Sequence, residues 1–224
     1  MKIIEQSVKV LYPGSLAEGL NELKRIEIAG RNCWRSEGKI TESSYRAFID
    51  NLMKRGHESP LEFGEVMLDI VTSRDVMAEL TRHRLASFAI QSQRYVDESK
   101  TGDIEFIRPM FYKDEPDDPK CAYADPAFAA SMIWRDQMEN TEQSYKSMRM
   151  LGIRNEDARK VLPNSTATRI MMKVNFRELL HIYKLRSASF AYPEMRELQR
   201  LLKIEVDKVL PGFLPEKEDA NENK

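Results

Sequence analysis

The chain has 224 residues, 42% hydrophobic and 32% charged, with a formal net charge of −1. That composition excludes a disordered or fibrous protein, and the near-neutral balance supplies no global field to recruit nucleic acid or a membrane, so any anion site must be local. The length predicts a single catalytic-sized domain over residues 1–214, with 215–224 as a charged, disordered tail.

Two cysteines, Cys33 and Cys121, form neither a disulfide framework nor a CxxC pair. The three histidines, His57, His83 and His181, lack ligand spacing on one helix, so no metal is expected. The first residues carry Lys2, Glu5 and Lys9 and do not read as a signal peptide. No stretch is apolar and long enough to span a bilayer. A reduced, soluble, cytoplasmic protein is expected.

In chain order, residues 2–11 alternate around Ile4, Val8 and Val10 and predict a strand. Ser15 starts a helix over 15–30, and Thr41 caps a second. In that second helix Tyr45, Phe48, Ile49, Leu52 and Met53 follow helical spacing, and Gly56 stops it. Ser59-Pro60 predicts an N-cap with proline at the first helical position, which leaves His57 and Glu58 in the preceding loop. Val66, Leu68 and Ile70 alternate as a strand with one buried face.

Ser73 or Asp75 begins the next helix, at whose end Arg82, His83 and Arg84 fall. Residues 104–109 read as a strand and Lys113 to Lys120 as a loop. Asp125-Pro126 opens a long helix closed by Gly152, and Asn155 caps a short one ending at Leu162-Pro163. Thr166, Thr168, Ile170, Met172 and Val174 alternate as a strand. Asn175 and Glu178 form the cap and third-position acid of a capping box, opening a helix to about Arg186. Pro193 starts a last helix that ends before Pro211-Gly212. GxGxxG and GxxxxGK[ST] are both absent, so neither common phosphate-loop fold is supported. The expected class is α+β, a small mostly antiparallel sheet packed by helices.

Between Leu80 and Val96 there is no acid, yet Arg82, His83, Arg84 and Arg94 lie there with Ser87, Gln91, Ser92 and Gln93. Guanidinium matches phosphate oxygens bidentately and serine adds a short donor, so the segment suits one phosphate of a small ligand. Cations stabilising a helix C-terminus would look the same. The ordered pattern Arg82-His83-Arg84, seven residues, then Ser92-Gln93-Arg94-Tyr95 is more specific. It resembles the signature of the flavin-dependent thymidylate synthases. His57-Glu58-Ser59-Pro60-Leu61-Glu62 precedes it; Ala158-Arg159-Lys160-Val161-Leu162-Pro163, Val174-Asn175-Phe176-Arg177 and Leu185-Arg186 follow in order. The matching islands run from about Arg31 to Leu198.

The resemblance implies the thymidylate synthase-complementing-protein fold. It also implies reductive methylation of dUMP to dTMP. The carbon comes from 5,10-methylenetetrahydrofolate, and the hydride passes from NADPH through FAD. It implies no cysteine nucleophile, and neither Cys33 nor Cys121 sits in an activating context. By the same resemblance, the dUMP ligands are Glu79, Arg82, Gln91, Ser92, Arg94, Arg159 and Arg186, with Arg186 the catalytic cation beside the uracil carbonyls. The FAD contacts are His57, Ser59, Arg82, His83, Arg84, Asn175, Arg177 and His181. It further implies a homotetramer whose active sites form between subunits.

Asn175 would be a good helix cap whatever the function, His181 a packed histidine on an apolar face, and His57 a plain loop residue. The Met-rich helix over 125–151 reads as core or subunit contact. Ile90 stands where Glu or Gln is common, and Phe63 and Phe190 where histidine is frequent or occasional. Two other readings stay open: a nucleic-acid module using Arg82, Arg84 and Arg94, disfavoured by the acidic balance, and a flavin-binding relative without turnover.

Overall fold

The computed structural model describes residues 1–100, 102–114 and 125–216. Its strands are β1 (Lys2–Ile4), β2 (Ser7–Tyr12), β3 (Glu65–Ser73), β4 (Ser87–Ile90), β5 (Glu105–Ile107) and β6 (Ala167–Asn175). Its helices are α1 (Leu16–Cys33), α2 (Ser44–Lys54), α3 (Arg74–Leu80), α4 (Pro126–Met150), α5 (Asn155–Ala158), α6 (Phe176–Arg186) and α7 (Pro193–Asp207). The α+β expectation holds: a small antiparallel sheet runs in the order β2-β3-β6-β4, and β1 pairs with β5. The chain divides into two compact units.

The larger unit comprises Ser7–Ile70, Thr81–Ala89 and Met171–Lys224. Its sheet buries one face by strict alternation. Val66, Leu68 and Ile70 of β3 are buried, as are Ile170, Met172 and Val174 of β6, while Met171 and Lys173 between them face out. Ser15 caps α1, its hydroxyl accepting from the Glu18 N–H at 3.3 Å. Helix α1 packs on α2 and on the short 3-10 turn Ser59–Phe63, and α7 lies against β2 and α6. Gly19 makes one approach possible: a Cβ there would lie 1.9 Å from the Val209 carbonyl oxygen. Glu22, fully buried on α1, accepts from Tyr12 Oη at 2.5 Å and from the Glu65 N–H at 3.1 Å. It thereby ties together the end of β2, α1 and the start of β3.

The smaller unit comprises Met1–Gln6, Val71–Leu80 and Ile90–Ile170. Here β1 and β5 run parallel with Ile3 opposite Phe106. Ile104, Phe106, Met138, Tyr145 and Ala158 form its core, with Trp134 and Leu162 against it. Asp125 caps α4 by accepting from the Ala127 N–H at 2.9 Å, and Gly152 follows it at φ +84°.

Several local expectations are corrected. The single strand over 2–11 is two, because Glu5 and Gln6 interrupt the extended run and β1 and β2 join different sheets. Ser43, not Thr41, occupies the cap position of α2; the Thr41 N–H donates to Ser44 Oγ at 2.9 Å. Ser59 and Asn155 are first residues of their turns rather than caps. Arg82, His83 and Arg84 lie beyond α3, which ends at Leu80. Strand β4 has no counterpart in the expectations. Most of the loop over Lys113 to Lys120 and of the charged tail lies outside the described residues.

Candidate active site

In the larger unit the turn after Thr81 delivers His83, and α6 delivers Glu178, His181 and Arg186 on one helical face. Asn175 sets where that helix starts, its Oδ1 accepting from the Glu178 N–H at 2.9 Å. His83 is 6% exposed. Its Nδ1 lies 3.3 Å from Glu178 Oε1, and Arg186 Nε donates to its Nε2 at 3.1 Å. A neutral imidazole has one donor and one acceptor nitrogen, so these two bonds assign the proton to Nδ1. Burial pushes the His83 pKa down, and the Arg186 cation adds to this; Glu178 pulls the other way. His181, on the exposed side, meets His83 edge-on with ring centroids 5.8 Å apart.

Ligand atoms of His83, Glu178 and His181 lie within 4.8 Å of one another, a donor set that sequence spacing does not reveal. Both His83 nitrogens are engaged, however, one by a guanidinium that repels a cation.

His57 stacks on Trp34 with centroids 6.2 Å apart and planes 27° apart. The pair lines a cavity of about 350 Å³ together with Arg31, Lys39, Phe48 and Arg55. Ser59 is exposed on its turn. Arg177 is ion-paired to Glu62 at 2.6 Å and lies 3.9 Å from Glu58. Arg82 and Arg84 are exposed. Phe63 and Phe190, the two departures from histidine, are exposed as well, at 60% and 81%. Cys33 is free and exposed; Cys121 lies outside the described residues.

In the smaller unit, Gln91, Ser92 and Arg94 share one turn. The Arg94 N–H donates to Ser92 Oγ at 3.3 Å, and the Val96 N–H to the Ser92 carbonyl at 2.9 Å. Gln91 takes up the end of the β4 ladder through its N–H on the Arg169 carbonyl, while its carbonyl accepts from Arg74 Nη2 at 3.3 Å. Arg94 spreads over the Tyr95 ring and pairs with Glu156 at 3.5 Å. Arg159 Nε donates to the Glu156 carbonyl at 3.2 Å. Arg94, Arg149, Arg154, Asn155 and Glu156 line a cavity of about 240 Å³. Arg74 Nε, Gln93 Nε2 and Thr168 Oγ1 are buried with no hydrogen-bond partner among the described residues. Such atoms are costly without a ligand or water. Ile90 is half-buried in β4, and Glu79 half-buried on α3.

The structure thus brings His83, His181 and Arg186 together in one unit, and Gln91, Ser92, Arg94 and Arg159 in the other. It adds Glu178 and Glu156, which the sequence argument does not assign. Glu178 carried a signal, the third position of a capping box three residues before His181, but capping alone accounted for it.

The chain belongs to the family described as thymidylate synthase complementing protein, whose model matches residues 15–212. It is 32% identical over 184 residues to the flavin-dependent thymidylate synthase of Haloarcula marismortui, covering 76% of this chain and 74% of that one. It is 31% identical over 197 residues to the enzyme of the same name from Geobacter sulfurreducens, covering 85% and 78%. The crystal structure of the UMP/dUMP methylase PolB from Streptomyces cacaoi bound with 5-Br dUMP shares its fold, with a TM-score of 0.72, 22% identity and 95% of each chain covered. No helix among the described residues is long and apolar enough to cross a membrane.

Proposed function

We propose that this chain is a flavin-dependent thymidylate synthase, converting dUMP to dTMP with 5,10-methylenetetrahydrofolate as carbon donor and NADPH as reductant through FAD. The observation that carries the reading is the hydrogen bond from Arg186 to His83. It joins two parts of the motif series that lie 103 positions apart in the chain.

The residues present fit a flavin dinucleotide. His57 and Trp34 offer a flat aromatic wall, with Arg31, Lys39 and Arg55 as cations for a pyrophosphate on the same cavity. Bound FAD would supply the hydride chemistry. His57, Ser59, Arg82, His83, Arg84, Asn175, Arg177 and His181 would hold it. Arg177 would do so while keeping its hydrogen bond to Glu62 and its place near Glu58.

Arg94 and Arg159 would take the dUMP phosphate, with Ser92 as a neutral donor and Gln91, Glu79 and Arg82 completing the nucleotide's contacts. The orphaned Arg74 and Gln93 nitrogens support a polar ligand there. Arg186 presents a fixed cation to the uracil carbonyls and stabilises the negative charge that develops on the ring. A homotetrameric cytoplasmic enzyme is the assembly this reading carries.

The test is anaerobic. Purified protein is mixed with FAD and NADPH, then with dUMP and methylenetetrahydrofolate, while flavin absorbance and dTMP are followed. The expected result is dTMP formed with flavin reoxidation. Flavin binding without dTMP would overturn the activity, and no flavin binding would overturn the whole assignment.

A further inference from the structure

Glu178 and His83 are both buried, at 7% and 6% exposure. A carboxylate buried this deeply is retained only when hydrogen bonds compensate its desolvation. Its place in the first turn of α6 meets part of that cost through the helix dipole. The directions of the hydrogen bonds carry information that a purely structural role would not require. Arg186 Nε–H can only donate, so His83 Nε2 must accept, and the ring proton must sit on Nδ1, where Glu178 receives it.

We propose that Glu178 is a positioning residue for Arg186, acting through His83: its carboxylate holds the Nδ1–H tautomer, which leaves Nε2 as the acceptor that anchors the guanidinium. This rests on the reading of Arg186 as the cation at the reacting pyrimidine. Without Glu178 the opposite tautomer becomes available. It would set Nε2–H against Nε–H, and the guanidinium would leave its place. Among the described residues, the charged and titratable groups facing His83 are Glu178, Arg186 and His181, so the tautomer is decided within this cluster. Carboxylates that orient metal-ligating histidines typically cost about 10- to 100-fold in function when lost, and an effect of that order is expected for a histidine that orients a guanidinium.

The experiment uses the flavin-loaded protein with nitrogen-15 histidine; three histidines keep the spectrum assignable. At neutral pH the wild-type His83 should be neutral with its proton on Nδ1. In Glu178→Leu the proton should move wholly or partly to Nε2. Its kcat should fall about 10- to 100-fold, with flavin content within about twofold of wild type and a smaller rise in KM for dUMP than the fall in kcat. Glu178→Gln keeps an acceptor oxygen and should recover part of kcat; Glu178→Ala replaces the leucine variant if that one does not fold. An Nε2-protonated or doubly protonated His83 in the wild type would overturn the proposal. So would an unchanged tautomer in the variant that lacks the acceptor, or parallel losses of flavin, stability and kcat that Gln does not relieve. The spectrum does not depend on turnover. A wild type that makes no dTMP therefore removes the proposed function without deciding the tautomer.

Discussion

Arg186 is half-buried as the last residue of α6, where the carbonyl ends of the helix favour a cation and His83 fixes its Nε. A preorganised charge of this kind acts on the transition state without reorganising when charge develops. On the proposed function, Arg186→Ala should therefore keep its flavin, since the proposed flavin contacts Asn175, Arg177 and His57 remain, and lose about 10²- to 10³-fold in kcat. Single-turnover flavin reoxidation measures this, and near-normal turnover would refute the catalytic role. At this scale the sequence drew attention to cations and passed over the acids beside them. Arg82, Arg94 and Arg186 stand out by type and order. Glu178 and Glu156 look like ordinary acids of a helix's first turn until the fold aims them at His83 and Arg94.

Elements were legible where a long period met a cap. Helix α4, capped by Asp125 and ended at Gly152, and strand β6, with five alternating positions, follow their expected spans closely. Strand β4 was not legible, since Ser87 to Ile90 is too short to show a period and its partner β6 comes from far along the chain. For β1 the extended residues were expected, but not that they separate from β2 to pair with β5. The close approach of α1 to the segment after α7 makes a stability prediction. In an open helix Gly→Ala would gain about 1 kcal/mol. At Gly19 the new methyl meets the Val209 backbone at 1.9 Å, so Gly19→Ala should instead lose about 1–3 kcal/mol. Urea unfolding decides the sign, and a stabilised variant would show that the contact yields easily.

For the whole molecule, stability should fall with acid in two stages. His83 is held below its ordinary 6.5 by burial and by Arg186. A histidine so depressed contributes fully above that ordinary value, and its contribution is lost as pH falls towards the folded pKa. The second stage belongs to carboxylates. Arg149 and Ser99 hold Asp97 at about 2. For Glu142 burial alone would raise the pKa, but the Met1 ammonium, Lys146 and the Ile104 N–H outweigh it and bring it to about 2. Both are depressed, so their contribution is complete above the ordinary 3.8 and 4.5 and disappears as pH falls through about 2. Urea midpoints across pH should show both stages. Asp97→Asn should flatten part of the lower one, and an unchanged lower stage would refute the assignment.

By itself the sequence determined the family, the α+β class, most helix and strand spans, and the order of the motifs that carry the resemblance. These follow from residue type and local spacing, which are properties of neighbours in the chain. Only the tertiary structure decided that His83 lies between Glu178 and Arg186, that Glu156 meets Arg94, and that β1 and β2 part company. Each depends on groups brought from distant segments to within hydrogen-bond reach, and no periodicity in one segment encodes what a remote segment will place against it.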